Sequence, residues 1–514
     1  MSLLRLAASI ALLIASPAAR AAAADSVEAR GESLRVEISL DGARPVRWEA
    51  CFPSCEASVD RAVFGTPLDP PLVQIAVAGE PELRERIDAL RYRVLRREEE
   101  GTSVLDFVSA PLADGVVVRK IWRISQRGYE ASLEVALQGE GAERFFRAHP
   151  LELLLQTGRS FEPEPAWGFA SLSEALAALR IASGSVRDLH AQSGPEPLPA
   201  GSWAGVRSRF WALLVRTDAP GTVDGPRAAA VSLRIAPALA QRFEFYAGPI
   251  ERQLLGATDP ALEELLFAHL WFWLRWLALG LLILLGALRD LVGNAGVAIL
   301  LLAVCVKILM RPLTATAERW QRQVNATRTQ LQPGIDEIKA SSSGAERSNR
   351  LFELHREHGV SLFYGMKSLL AVLIQIPVFI AAYHTLAEDF ALSHVGFLWI
   401  ANLVEPDRLV VLPFAIPFFG DALNVLPFLM SALTVVSSRL HDDGTLAPEL
   451  LRSQRRSLYL MALAFFVLFY SFPAGMVLYW TSNNLVALAR DEISRWIPRR
   501  REGTWRLRFA ALRR

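Results

Sequence analysis

Read from its N-terminus, the chain changes hydrophobic pattern twice. Residues 1–24 hold one short apolar run, Leu6–Ala15, behind Arg5 and ahead of Pro17 and a string of small residues. About ten apolar residues suit the h-region of a secretory signal peptide better than a spanning helix. Ala19-Arg20-Ala21 or Ala22-Ala23-Ala24 would serve as the cleavage site, an uncleaved signal anchor is the other reading, and under both the following residues are exported. From 25 to 260 the dominant period is two. Val116–Ile124 and Tyr129–Leu137 alternate on either side of Gln126-Arg127-Gly128, which is a hairpin signal. Leu34–Leu40 and Arg209–Val215 read as further strands, Ser173–Leu179 as a short helix, and the Pro/Gly-rich Ser193–Gly201 as a loop. Many strands in one such stretch predict a β-sandwich.

Beyond Asp259-Pro260 the apolar runs lengthen. Leu262–Leu291 is rich in Leu and Trp, interrupted by Arg275 and closed by Arg289-Asp290. A further span competes with an amphipathic helix at the outer interface; Trp271, Trp273 and Trp276 beside Arg275 favour the interfacial helix, assigned to 261–292. The region 293–495 then carries spans at about 294–314, 368–386, 422–440, 458–472 and 474–489. Between the first two lies polar 315–359, patterned as two amphipathic helices, broken at Gln332-Pro333-Gly334 and at Ser341–Gly344: a helical hairpin. Residues 496–514 form a basic tail.

Composition agrees with a water-soluble unit followed by a membrane unit: 52% of residues are hydrophobic and the mean hydropathy is +0.25. The net charge of +2 says little, but its distribution orients the spans. Arg490–Arg514 holds nine Arg against Asp491, Glu492 and Glu502, and 441–457 carries Arg452, Arg455 and Arg456. The 388–421 loop holds Glu388, Asp389, Glu405, Asp407 and Asp421 against Arg408. Positive-inside asymmetry puts the tail and the 315–359 hairpin in the cytoplasm and 25–260 outside, in accord with an export signal.

No Gly-rich phosphate loop, nucleophile elbow or metal-type cluster is present, so no catalytic residue, metal or cofactor is expected. His355 and His358 sit one turn apart without Glu or Cys partners in a closed-site pattern, and read as a solvated face. Cys51 and Cys55 would close a small disulfide in an oxidising compartment. The polar residues inside the spans carry more meaning. Eleven helical residues from Gly296 to Val306 cover only ~17 Å, so Lys307 lies inside the bilayer or snorkels to its edge. Gln375, beside helix-breaking Pro377, and Thr481-Ser482-Asn483-Asn484 lie in other spans. Singly each is interhelical glue worth ~1 kcal/mol. Together they predict a hydrated cavity facing the cytoplasm.

Eight segments, in order, carry a family resemblance: WAGVRSRFWALLV (203–215), FYAGP (245–249), GNAGVAILLLAVCVKILMRPLT (293–314), LQPGI (331–335), LIQIPVFIAAY (373–383), LWIANL (398–403), LPFAIPFFGDALNVLPFLM (412–430) and FPAGMVLYWTSNNL (472–485). They resemble the YidC/Oxa/Alb family of membrane protein insertases, with the large periplasmic domain of its Gram-negative members. The resemblance implies a multi-domain chain. An exported β-sandwich of supersandwich type is followed by an α-helical membrane domain of five core transmembrane helices with a cytoplasmic helical hairpin. It further implies a bacterial inner-membrane protein that inserts nascent membrane proteins through a hydrophilic groove, alone or with the Sec translocon. No small-molecule substrate is implied. The groove falls on Lys307, Gln375, Trp480, Asn483 and Asn484; the substrate-receiving hairpin includes Gln332 and Pro333; ribosome docking falls on Arg499, Arg500 and Arg501. Lys307 stands where Arg is usual, giving a compact point charge in place of a planar fork. Trp480 replaces a tyrosine, and FYGMKS (363–368) replaces the usual Asn-Pro-Leu-Gly-Gly-Cys turn. A solute transporter or channel with an exported accessory domain is the alternative, against which stand the lack of an inverted repeat and a single strongly charged buried residue. A receptor anchored by the bundle would leave the polar residues in the spans and the Arg-rich tail without a role.

Overall fold

In the computed structural model the alternation near residue 120 becomes a strand, Val117–Ser125, with Val118, Lys120, Trp122 and Ile124 buried. The structure describes residues 25–77, 87–112, 115–144, 151–161, 176–190, 192, 194–235, 239–361, 366–417, 419–440 and 448–496. The chain divides near residue 270 into two compact units.

In the first unit Val117–Ser125 pairs antiparallel with Glu130–Gln138, one residue displaced from the sequence expectation. Both belong to a nine-stranded sheet. Its order is Ser185–Asp188, Ala177–Ala182, Trp203–Arg207, Trp211–Thr217, Ala240–Pro249, Glu130–Gln138, Val117–Ser125, Thr102–Ser109, Tyr92–Glu99. A four-stranded sheet (Ser26–Arg30, Leu34–Ser39, Pro45–Phe52, Asp60–Gly65) and a five-stranded sheet ordered Glu196–Leu198, Gly221–Arg227, Ala230–Ile235, Leu151–Gln156, Val73–Val77 complete the β-rich unit. Alternation buries one face of strands such as Leu34–Ser39 and Val117–Ser125, and aromatic side chains of their two sheets meet there. Trp48 of the four-stranded sheet lies 6.1 Å from Trp122 and 5.8 Å from Phe245 of the nine-stranded one, ring centroid to centroid.

Two local expectations fail here. Of the stretch read as a helix, Ala177–Leu179 lies in strand Ala177–Ala182, held between Trp203–Arg207 and Ser185–Asp188. Its Ala/Leu composition favours helix, but two ladders override local propensity; residues 173–175 lie outside the described residues. The loop read at 193–201 contains strand Glu196–Leu198, paired with Gly221–Arg227.

The second unit is helical: α1 Phe272–Val292, α2 Ala295–Leu309, α3 Arg311–Ser341, α4 Gly344–Glu357, α5 Met366–Glu388, α6 Leu426–Leu440, α7 Pro448–Phe469 and α8 Ala474–Trp496. Helix α1 ends on Gly293 in the left-handed conformation (φ 66°), and Asn294 caps α2 by accepting from the Val297 amide at 3.0 Å. The single interfacial helix expected over 261–292 is divided: a 3-10 turn, Pro260–Leu265, precedes α1. Among the described helices α1 is the one that length and composition alone would let cross a membrane; α2 and α3 pass only as a pair, bent by 62°.

That bend falls within the span read at about 294–314. Helix α2 stops at Leu309, and Pro312, at the start of α3, has no amide to give to the preceding turn. The break expected at Gln332-Pro333-Gly334 is absent. Helix α3 runs through Pro333, and the chain turns at Ser342-Ser343. Gln332 donates to Asp336 at 2.9 Å. Gly334 lets α4 approach: a Cβ there would stand 3.0 Å from Leu354. Downstream, residues 448–457, read as loop, are the first turns of α7, and the span read from 422 begins at Leu426. The 388–421 loop holds strand Val410–Ile416, paired with Gly420–Leu423.

Candidate functional site

Three helices of the second unit bring the polar span residues together. Helix α8 packs against α2, α5 and α6. Its start is pinned, because the Ala474 and Gly475 amides each donate at 2.7 Å to the carbonyls of Glu405 and Leu403. Gly475 permits that approach: a Cβ would lie 3.0 Å from the Leu403 oxygen. Ser482, one turn beyond Tyr479, donates to the Leu300 carbonyl of α2 at 3.4 Å.

The space between these helices is a cavity of about 220 Å³ lined by Val306, Lys307 and Met310 of α2, Thr314 of α3, Gln375 of α5, and Tyr479, Trp480, Asn483 and Asn484 of α8. All five residues singled out for a groove, Lys307, Gln375, Trp480, Asn483 and Asn484, therefore share one wall-to-wall space. Lys307 is the one formally charged residue among the lining residues described. Asn484 is oriented from behind, donating to Thr434 of α6 at 3.0 Å. Trp480 is fixed by an aromatic cluster, its ring 5.4 Å from Phe379 on α5 and 5.7 and 5.6 Å from Phe465 and Phe469 on α7. Thr314 turns its hydroxyl back onto the Met310 carbonyl at 3.1 Å, which also accepts the Thr314 amide at 2.9 Å.

Chemically the cavity offers a cation, three side-chain amides and an indole within apolar walls. That set suits a passing polar or acidic group. Nothing in it forms a nucleophile–base pair. Val306, Met310, Thr314 and Tyr479 also line it and were not singled out from sequence; apolar, hydroxyl and aromatic side chains are ordinary in a span.

Elsewhere, Gln332 and Pro333 lie on α3, in the hairpin of α3 and α4, away from the cavity lining. Arg499, Arg500, Arg501 and residues 1–24 lie outside the described residues. In the β unit Cys51 and Cys55 are joined by a disulfide. A second cavity, about 390 Å³, lies on the nine-stranded sheet among Arg123, Glu130, Arg216, Arg242 and Glu244. Its charges are internally matched: Arg216 pairs with Glu244 and, at 2.6 Å, with Asp259, which also accepts from Trp203 at 2.9 Å.

Comparison with known proteins follows the second unit. Residues 287–497 match the family described as 60Kd inner membrane protein. The chain is 32% identical over 265 residues to the membrane protein insertase YidC of Shewanella pealeana, which covers 50% of this chain and 44% of that protein. With the YidC of Cellvibrio japonicus the identity is 34% over 253 residues, 48% of this chain and 40% of the relative. Each alignment thus spans less than half of the relative's length. Among solved structures, an active YidC insertase with its first transmembrane domain resolved aligns over 91% of this chain and 92% of its own, at 18% identity and a TM-score of 0.35. The likeness to these insertases is thus carried by residues 287–497, about two fifths of the chain.

Proposed function

We propose that this chain inserts nascent membrane proteins into the bacterial inner membrane, with the cavity between α2, α5 and α8 as its substrate groove. The observation that carries this reading is the meeting of Lys307, Gln375, Trp480, Asn483 and Asn484 around one space. A hydrophobic segment gains free energy on leaving water for lipid, but its polar flank must cross a low-dielectric layer at a cost of several kcal/mol. A hydrated recess shortens that layer and lowers the barrier without nucleotide hydrolysis. Lys307 holds the flank transiently while the apolar segment moves into lipid between α5 and α8. The attraction must be modest for release to follow.

The sidedness of the remaining parts follows from charge asymmetry, and their roles from the family resemblance. Residues 25–260 are periplasmic, α3 and α4 form the cytoplasmic hairpin that receives substrate, and the Arg-rich tail through Arg499, Arg500 and Arg501 docks ribosomes. The Sec translocon is a partner for some substrates. Helix α1, although 21 residues long, lies at the outer interface. A two-residue link, Gly293-Asn294, joins it to α2, and if both helices crossed, the α3–α4 hairpin would fall on the side of the β unit. The test is depletion complementation: this chain replaces the host's insertase, and insertion of a small phage-coat-like protein is measured. Restored growth and insertion are expected. Stable membrane integration of the chain without either would refute the reading.

A further inference from the structure

The hairpin Val410–Ile416/Gly420–Leu423 presents apolar side chains to the outside from both of its faces. Val410 is 49% exposed and Val411 61%, adjacent paired positions that point to opposite faces, and Leu409, Phe414 and Leu423 are exposed beside them. The stretch from Leu409 to Ile416, LVVLPFAI, contains no charge. In water a two-stranded ribbon bare on both faces is marginal and an aggregation hazard.

Yet this hairpin is held firmly. Buried Asp407, at its base, accepts from the Val425 and Leu426 amides, both at 2.8 Å, and from the Trp399 indole at 3.2 Å. Asn424 accepts from the Arg408 amide at 2.9 Å and donates to the Tyr470 carbonyl at 2.7 Å. The Tyr470 hydroxyl donates to the Ala422 carbonyl at 3.0 Å, and its ring meets Phe419 at 4.9 Å. The hairpin is thereby fixed to the start of α6 and to the residue that follows α7, at the end of the bundle where α7 turns into α8. There α6 is short: 15 residues against 22 in α7 and 23 in α8. At ~1.5 Å per residue α6 reaches ~23 Å, less than a ~30 Å hydrocarbon layer. The apolar surface missing at that end is supplied by the hairpin. The Arg408–Asp421 ion pair, 3.1 Å at its base, sits where headgroups would meet it.

We infer that the 410–423 hairpin is a lipid-binding element that lies in the headgroup–acyl boundary of the outer leaflet, with phospholipid covering both of its faces. The inference rests on the membrane-spanning reading of α5 to α8, and the test separates the two. The full chain carrying Cys305→Ser is spin-labelled at Val411→Cys, Phe414→Cys or, as the reference on α7, Leu463→Cys, and reconstituted in phosphatidylethanolamine/phosphatidylglycerol vesicles. Collision rates with oxygen, which partitions into lipid, and with a water-soluble nickel chelate are measured by electron paramagnetic resonance. Labels at 411, 414 and 463 should all favour oxygen several-fold. A 463 label in lipid with 411 and 414 open to the nickel chelate would overturn the inference alone. So would labels at 411 and 414 shielded from both reagents, which would mean that protein covers the hairpin. A 463 label open to nickel would overturn the membrane reading and the inference with it.

Discussion

Lys120 offers a quantitative test of how the β unit is built. It is buried in the interior of the nine-stranded sheet's face, where its Nζ donates to the Gly42 carbonyl at 2.6 Å and lies 5.4 Å from the Tyr92 ring centroid. Burial is the main influence, and it moves the ammonium from its ordinary 10.5 down to about 8; Asp88 nearby opposes this and Arg44 adds to it. Between those two values the unfolded chain keeps a proton that the folded chain has released, so stability rises with pH across this window. At ~1.4 kcal/mol per unit, a charged Lys120 costs the fold about 3 kcal/mol at pH 7 and nothing above pH ~10.5. Lys120→Met removes that cost but strands the Gly42 carbonyl, at about 1–2 kcal/mol. Urea unfolding of residues 25–269, followed by tryptophan emission, should therefore find the variant more stable than wild type by about 1–2 kcal/mol at pH 7 and less stable by a similar amount above pH ~10.5. The two stability curves cross. Parallel curves, or a variant weaker at every pH, would refute the reasoning.

Two further perturbations probe the two units separately. Replacing Cys51 and Cys55 by Ser opens a five-residue loop, which should cost about 2 kcal/mol of denaturant stability in the β unit, read from the shift in urea midpoint. Gly296→Ala on α2 places a Cβ 2.0 Å from the Phe397 ring, so overpacking of about 1–3 kcal/mol should appear as faster trypsin cleavage of the membrane-reconstituted chain.

How much was legible depended on whether a residue stood out from its surroundings. Lys307, Gln375, Asn483 and Asn484 are conspicuous because each interrupts an apolar span, and the structure gathers them; Tyr479 and Thr314 share their cavity but look like any spanning residue. Lys307 is also unusual in composition. The chain has four lysines among 55 basic residues, and two of them are Lys120, buried in the β unit, and Lys307 in the cavity. Strand alternation read true at Val117–Ser125 because one face is wholly buried. The short helix read over Ser173–Leu179 failed at Ala177–Leu179, where sheet pairing outweighs an Ala-rich helical composition. Pro333 misled in the other direction: a proline costs one bond and some bending, and a 31-residue helix packed on Leu354 sustains that. The 410–423 hairpin was hidden because its apolar run, broken by prolines, matches neither helical nor strand period.

The central claim, that the cavity's charge engages the polar flank of an incoming protein, is tested most directly by insertion rates of an acidic-tailed, small membrane protein in cells dependent on this chain. Wild type is compared with Lys307→Arg, Lys307→Ala and Lys307→Glu at matched membrane levels. Arginine should largely preserve insertion, alanine should impair it, and glutamate should be worst, with the deficit deepening as acidic residues are added to the substrate tail. Full activity of Lys307→Ala, or a glutamate variant indifferent to tail charge, would contradict it.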